Sequence, residues 1–140
     1  MADVEGYYTT TAGDNAVGAG FVQPTVPTQV LDTRNGTGAA KARLVGGSKL
    51  VVRVAGTHGV PVGARSVLVN LTGVEPTNGT WLAAYPAGTA RPGVSNLNLD
   101  KGTVRPVLAL VPVGADGSIE IYNAFGSVDV VAAVQGYYLG

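Results

Sequence analysis

Ser66-Val67-Leu68-Val69-Asn70-Leu71-Thr72 places Val67, Val69 and Leu71 on one side of an extended chain and Ser66, Asn70 and Thr72 on the other. A period of two is that of a strand with one buried face. Ser118-Ile119-Glu120-Ile121-Tyr122-Asn123 repeats the pattern, with the isoleucines inward and Glu120 and Tyr122 outward. It directly follows the turn signal Ala115-Asp116-Gly117, so it reads as one arm of a hairpin. Further strands are predicted over residues 28–33, 49–55, 80–85, 95–99, 107–113 and 127–138. The stretch 128–134 is apolar at nearly every position, the mark of a strand that is central or covered on both faces. No window sustains a helical stripe, because 21 Gly and 8 Pro interrupt the chain and β-branched residues fill the gaps. Short strands at intervals of about ten residues, joined by Gly- and Pro-rich turns, predict an all-β antiparallel sandwich, jelly-roll or Ig-like, with a barrel as the alternative.

Composition narrows the setting. The 140 residues suit one domain, long enough to bury roughly two-thirds of the surface of the unfolded chain. Cysteine is absent, which excludes disulfides and thiolate metal sites. Charged residues are only 13% and the formal net charge is zero, so long-range repulsion between copies is weak and self-association or burial in a larger assembly is favoured. The nine Lys and Arg are scattered among nine Asp and Glu with no basic run, which argues against nucleic acid as a partner. The sequence shows neither a secretion signal nor an apolar stretch approaching the roughly 18 residues of a membrane span.

Val4-Glu5-Gly6-Tyr7-Tyr8 returns as Val134-Gln135-Gly136-Tyr137-Tyr138, 134 − 4 = 130 positions later. Such a repeat marks a unit of a head-to-tail array that carries a neighbour's closing strand at its front and its own at its back. Val4, Tyr7, Tyr8, Tyr137 and Tyr138 are therefore candidate assembly residues. Between the first copy and the domain, Thr9-Thr10-Thr11-Ala12-Gly13-Asp14-Asn15-Ala16 and Gly18-Ala19-Gly20 are too small and polar to hold a fixed shape alone. The expected division is an N-terminal arm over residues 1–22 and a β-sandwich over 23–140, with Pro24 and Pro27 setting an extended entry.

The run Leu31-Asp32-Thr33-Arg34-Asn35-Gly36-Thr37-Gly38 resembles a Leu-Asp-Thr-Arg-x-Gly-x-Gly signature of tandem modules in large secreted actinobacterial proteins. The resemblance continues through Gly56-Thr57-His58-Gly59-Val60-Pro61, Ala84-Tyr85-Pro86-Ala87-Gly88, Ser95-Asn96-Leu97-Asn98, Val111-Pro112-Val113-Gly114 and the closing Val-x-Gly-Tyr-Tyr. It implies an all-β accessory module without established catalytic residues, of a kind also similar to structural proteins of phages that infect actinobacteria. The chain departs from the pattern at Gln29, where Arg is more usual, and at Ala133, where Asp is more usual; both departures remove charge.

Asp32 and Arg34, two apart on an extended segment, share a face. They are read as a structural turn clamp, in which the carboxylate pairs with the guanidinium or accepts from the turn amides of residues 35–38. His58 lies between glycines in a predicted turn, and one His without Cys does not make the usual zinc site. Glu75, Asp100, Glu120 and Asp129 show no spacing that selects a glycosidase pair. No phosphate loop, nucleophile elbow or dinucleotide fingerprint occurs, so no catalytic residue, cofactor or metal is expected. Trp81, Tyr85 and Tyr122 are the candidate glycan platform, since aromatic faces stack on sugar rings. Trp81, Ala83 and Tyr85 share one strand face, which a sandwich core would also explain.

The expectation is a non-enzymatic structural or decoration module, assembling with copies of itself or on a larger protein lattice, at a virion surface such as a phage head or tail. The alternative is a polysaccharide- or cell-wall-binding module at an extracellular surface.

Overall fold

The computed structural model describes residues 23–139, so the arm and the calls on Val4, Tyr7 and Tyr8 lie outside the described residues. Among the described residues nine strands run in order: β1 Gln23–Asp32, β2 Leu44–Val45, β3 Lys49–Arg53, β4 Ser66–Val74, β5 Thr80–Pro86, β6 Leu97–Leu99, β7 Val104–Pro112, β8 Ser118–Asn123 and β9 Ser127–Tyr138. All pairings are antiparallel, and the described residues contain no helix. One sheet has the order β1-β9-β4-β7, with β2 also paired to β9; the other has the order β3-β8-β5-β6. The protein is thus a two-sheet sandwich and not a closed barrel. With the short β2 set aside, the other eight strands have the jelly-roll order, the first beside the last in one sheet and the second beside the seventh in the other.

The alternation in β4 does what its sequence implies: Val67, Val69 and Leu71 are buried while Ser66, Asn70 and Thr72 are half-buried on the other side. The facing sheet contributes Leu82, Ile119 and Ile121. Complete burial of each such side chain contributes roughly 1.5–3 kcal/mol. β9 is central, as expected of an apolar run, but it is not covered on both faces. Val128, Val130, Ala132 and Val134 enter the core, whereas Asp129, Val131, Ala133 and Gln135 are half-buried outside it.

Candidate functional site

The turn after β1 is built on Asp32. Its carboxylate is buried and receives Arg34 Nε at 2.9 Å, Nη2 at 2.9 Å and the Arg34 backbone N–H at 3.0 Å. The amides of Asn35, Gly36 and Thr37 donate instead to the Asp32 backbone carbonyl, so of the two anticipated arrangements the carboxylate adopts the ion pair. Beside it, Thr33 Oγ1 donates to Asp129 at 2.7 Å and accepts from Val130 N–H, and Arg43 Nη1 reaches Asp129 at 2.9 Å. The Asp32–Arg34 pair closes the turn on itself, and the Thr33 and Arg43 contacts with Asp129 join this region to β9.

The outward face of the β3-β8-β5-β6 sheet is chemically richer. Alternation puts Trp81, Ala83 and Tyr85 of β5 on this face, because Leu82 and Ala84 point into the core. The core reading of Trp81 is therefore not what forms. Register sets Ala83 beside Tyr122, Tyr85 beside Glu120, Lys49 beside Tyr122 and Asn98 beside Trp81. Trp81 and Tyr122 meet with ring centroids 5.3 Å apart and planes at 47°. The connection formed by residues 87–96 folds back over this face, its Gly88 amide donating to Glu120 Oε1 at 3.2 Å. The Arg91 guanidinium lies 4.2 Å from the Tyr122 ring centroid and 5.4 Å from that of Trp81.

That cover corrects one expectation. Glu120 does point outward, but it is only 4% exposed, and Tyr85 only 5%. Burial pushes the Glu120 pKa up, yet hydrogen bonds from the Gly88 amide, Lys49 at 3.1 Å and the Tyr85 hydroxyl outweigh it and hold the carboxyl below its ordinary range. Burial, then the neighbouring Glu120, pushes the Tyr85 phenol up. Tyr85 is thus covered, and of the three candidate platform residues only Trp81 and Tyr122 are half-buried rather than buried. Arg91 escaped the sequence reading, because nothing in its local pattern shows that a ten-residue connection brings it over rings at positions 81 and 122.

Arg34 hydrogen bonds, opposed by burial, hold the Asp32 carboxyl below its ordinary range as well. A carboxyl with a depressed folded pKa contributes stability that is present above the unfolded value, about 4 for Asp and Glu, and is lost as pH falls through the folded value. The thermal midpoint, followed by circular dichroism, is therefore expected to be nearly flat from pH 7 to about 5 and to fall below that. An Asp32→Asn/Glu120→Gln variant should start lower and show a shallower decline. A parallel decline in both proteins would refute the assignment of acid sensitivity to these two carboxyls.

Of the candidate assembly tyrosines, Tyr137 lies opposite Val67 and packs partly against the core, whereas Tyr138, opposite Ser66, is half-buried on the outer side. The segment 134–138 runs between β1 and β4, with a register shift at Gln135. Compared with known proteins, the chain matches no family model and no curated protein.

Proposed function

We propose that the chain is a non-enzymatic structural module that decorates or builds a surface by packing against copies of itself, as a head or tail component of a phage virion does. One observation carries this reading: the outer face of the β1-β9-β4-β7 sheet has an uncharged centre. Outward positions 66, 68, 70 and 72 of β4, 106, 108 and 110 of β7, and 131 and 133 of β9 hold no charged residue. Leu108 there is 48% exposed, and a shallow groove of about 290 Å³ runs between Asn70, Pro106, Leu108 and Gln135. An extended uncharged face that mixes apolar side chains with small polar ones is suited to burial against another surface. The zero net charge lets like copies approach. The jelly roll recurs in viral capsid and lectin domains, which is an analogy of fold alone. The first copy of the closing motif, at residues 4–8, is assigned to pairing with a neighbouring copy, where backbone hydrogen bonds supply attachment.

Light scattering over a range of concentrations is expected to show a discrete oligomer for the full chain and a monomer for a chain lacking residues 1–20. Leu108→Glu should dissociate the oligomer as well, by placing like charges on the packing face. Monomers of the full chain at every concentration would overturn self-packing. A second reading, saccharide binding, is favoured by the aromatic pair on the opposite sheet.

A further inference from the structure

We infer that Arg91, Trp81 and Tyr122 form a binding site for a saccharide that carries a carboxylate, such as a uronic-acid polysaccharide. This inference rests on the saccharide-binding reading and gives it a ligand class.

Arg91 is exposed, and among the described residues its guanidinium has no hydrogen-bond or ion-pair partner. The carboxylate deepest in this face, Glu120, is engaged by Lys49 and Gly88. An unpaired arginine on a surface ordinarily sweeps through many rotamers. Here stacking on two rings restrains it, because a cation is attracted to aromatic faces. Its planar donor fork is therefore partly ordered before any ligand arrives. Such a fork matches a planar anion in bidentate fashion, which a Lys ammonium does not. The guanidinium covers Tyr122 more closely, at 4.2 Å, than Trp81, at 5.4 Å, so the half-buried Trp81 is the ring assigned to the face of a pyranose, with Tyr122 holding the arginine. Asn98, exposed beside Trp81, accepts from Ser95 Oγ at 3.1 Å through its carbonyl oxygen, which leaves its amide N–H donors for a ring hydroxyl. A single oriented cation beside two rings fits one charged sugar unit. It does not fit a nucleic acid, whose affinity requires several phosphate contacts.

Trp81 is the chain's sole tryptophan, so intrinsic fluorescence reports on this site directly. Trigalacturonate and its methyl ester, which has the same rings without the charge, are titrated into the full chain. The acid is expected to change the fluorescence saturably, with the ester weaker by about tenfold or more, the size of one charge-assisted hydrogen-bonded pair. Arg91→Gln should lower the affinity for the acid to that for the ester, while the thermal midpoint falls by no more than a few degrees, the loss of one exposed stacking contact. Arg91→Lys should restore only part of it. Equal binding of acid and ester, insensitive to Arg91→Gln, would overturn the anionic specificity and leave a neutral platform. No response to either ligand would overturn the platform too.

Discussion

Gly38→Ala is expected to unfold the protein or bring it close to unfolding, whereas Gly47→Ala, with nearly the same backbone angle, is expected to be mild. Gly38 has φ +72°, and a Cβ built there would lie 2.0 Å from the Val30 carbonyl oxygen and 3.1 Å from its carbon. Those are backbone atoms of β1 next to the buried Leu31, so no side chain can rotate away to make room. Gly47 has φ +81° with open space around its missing Cβ, and Gly36 has φ +87° with its nearest contact at an ordinary 3.6 Å. The two controls carry only the penalty of a left-handed conformation, about 1–2 kcal/mol. Gly38→Ala adds displacement of β1 from β9, for a total on the order of 4 kcal/mol or more. Against a typical stability of about 5–15 kcal/mol, that leaves little. Urea denaturation midpoints for the three variants decide the matter: equal losses at positions 38 and 47 would mean that the turn does not press on Val30 as described.

The same turn shows how far a sequence carries. Asp32 and Arg34 read as a clamp because they lie two residues apart on one extended segment, whereas the approach of Gly38 to Val30 needed the folded turn. β4 and β8 were legible for a similar reason, since their alternation survives without knowledge of partners. What failed was non-local. β2 has only two residues, Leu44 and Val45, and is a strand solely because Val128 and Ser127 of β9 lie opposite. β1 begins at Gln23, five residues before the predicted start, and runs through Pro24 and Pro27. Proline is tolerated there because β1, among the described residues, is an edge strand paired only with β9, and the register shift between Pro24 and Thr28 lies in that stretch. In the candidate site, Trp81, Tyr85 and Tyr122 could be named as aromatics on strands. That Tyr85 and Glu120 are covered and that Arg91 stacks on the other two depends on where residues 87–96 fold, which no local periodicity encodes.

Asn123→Ala is expected to destabilise the protein by about 3 kcal/mol, the cost of removing two buried side-chain hydrogen bonds together with the packing of the amide. Asn123 ends β8 and is 0% exposed. Its Oδ1 accepts from Thr80 Oγ1 at 2.6 Å, and its Nδ2 donates to the Leu44 carbonyl at 2.9 Å. Its backbone N–H donates to the Ser48 carbonyl, and its own carbonyl accepts from Gly47. Thr80 Oγ1 in turn accepts from the Phe125 amide at 2.9 Å. One amide thus joins β5 and β8 of one sheet to β2, which belongs to the other. Apolar contacts between two sheets are non-directional and permit sliding, whereas a buried amide with fixed donor and acceptor sides does not. Asn123→Ala removes the acceptor of the Thr80 O–H and the side-chain donor to the Leu44 carbonyl; Thr80→Val removes the donor to Asn123 Oδ1 and the acceptor of the Phe125 amide. The double variant should therefore lose about 1 kcal/mol less than the sum of the singles, a coupling that guanidinium denaturation of all four proteins can resolve. Asn123→Asp separates geometry from chemistry. The carboxylate still accepts from Thr80 but faces the Leu44 carbonyl, so burial raises its pKa. This variant should be least stable at neutral pH and regain stability as pH falls and the protonated oxygen can donate. Strict additivity of the singles, or no recovery by Asn123→Asp in acid, would show that this joint is packing alone.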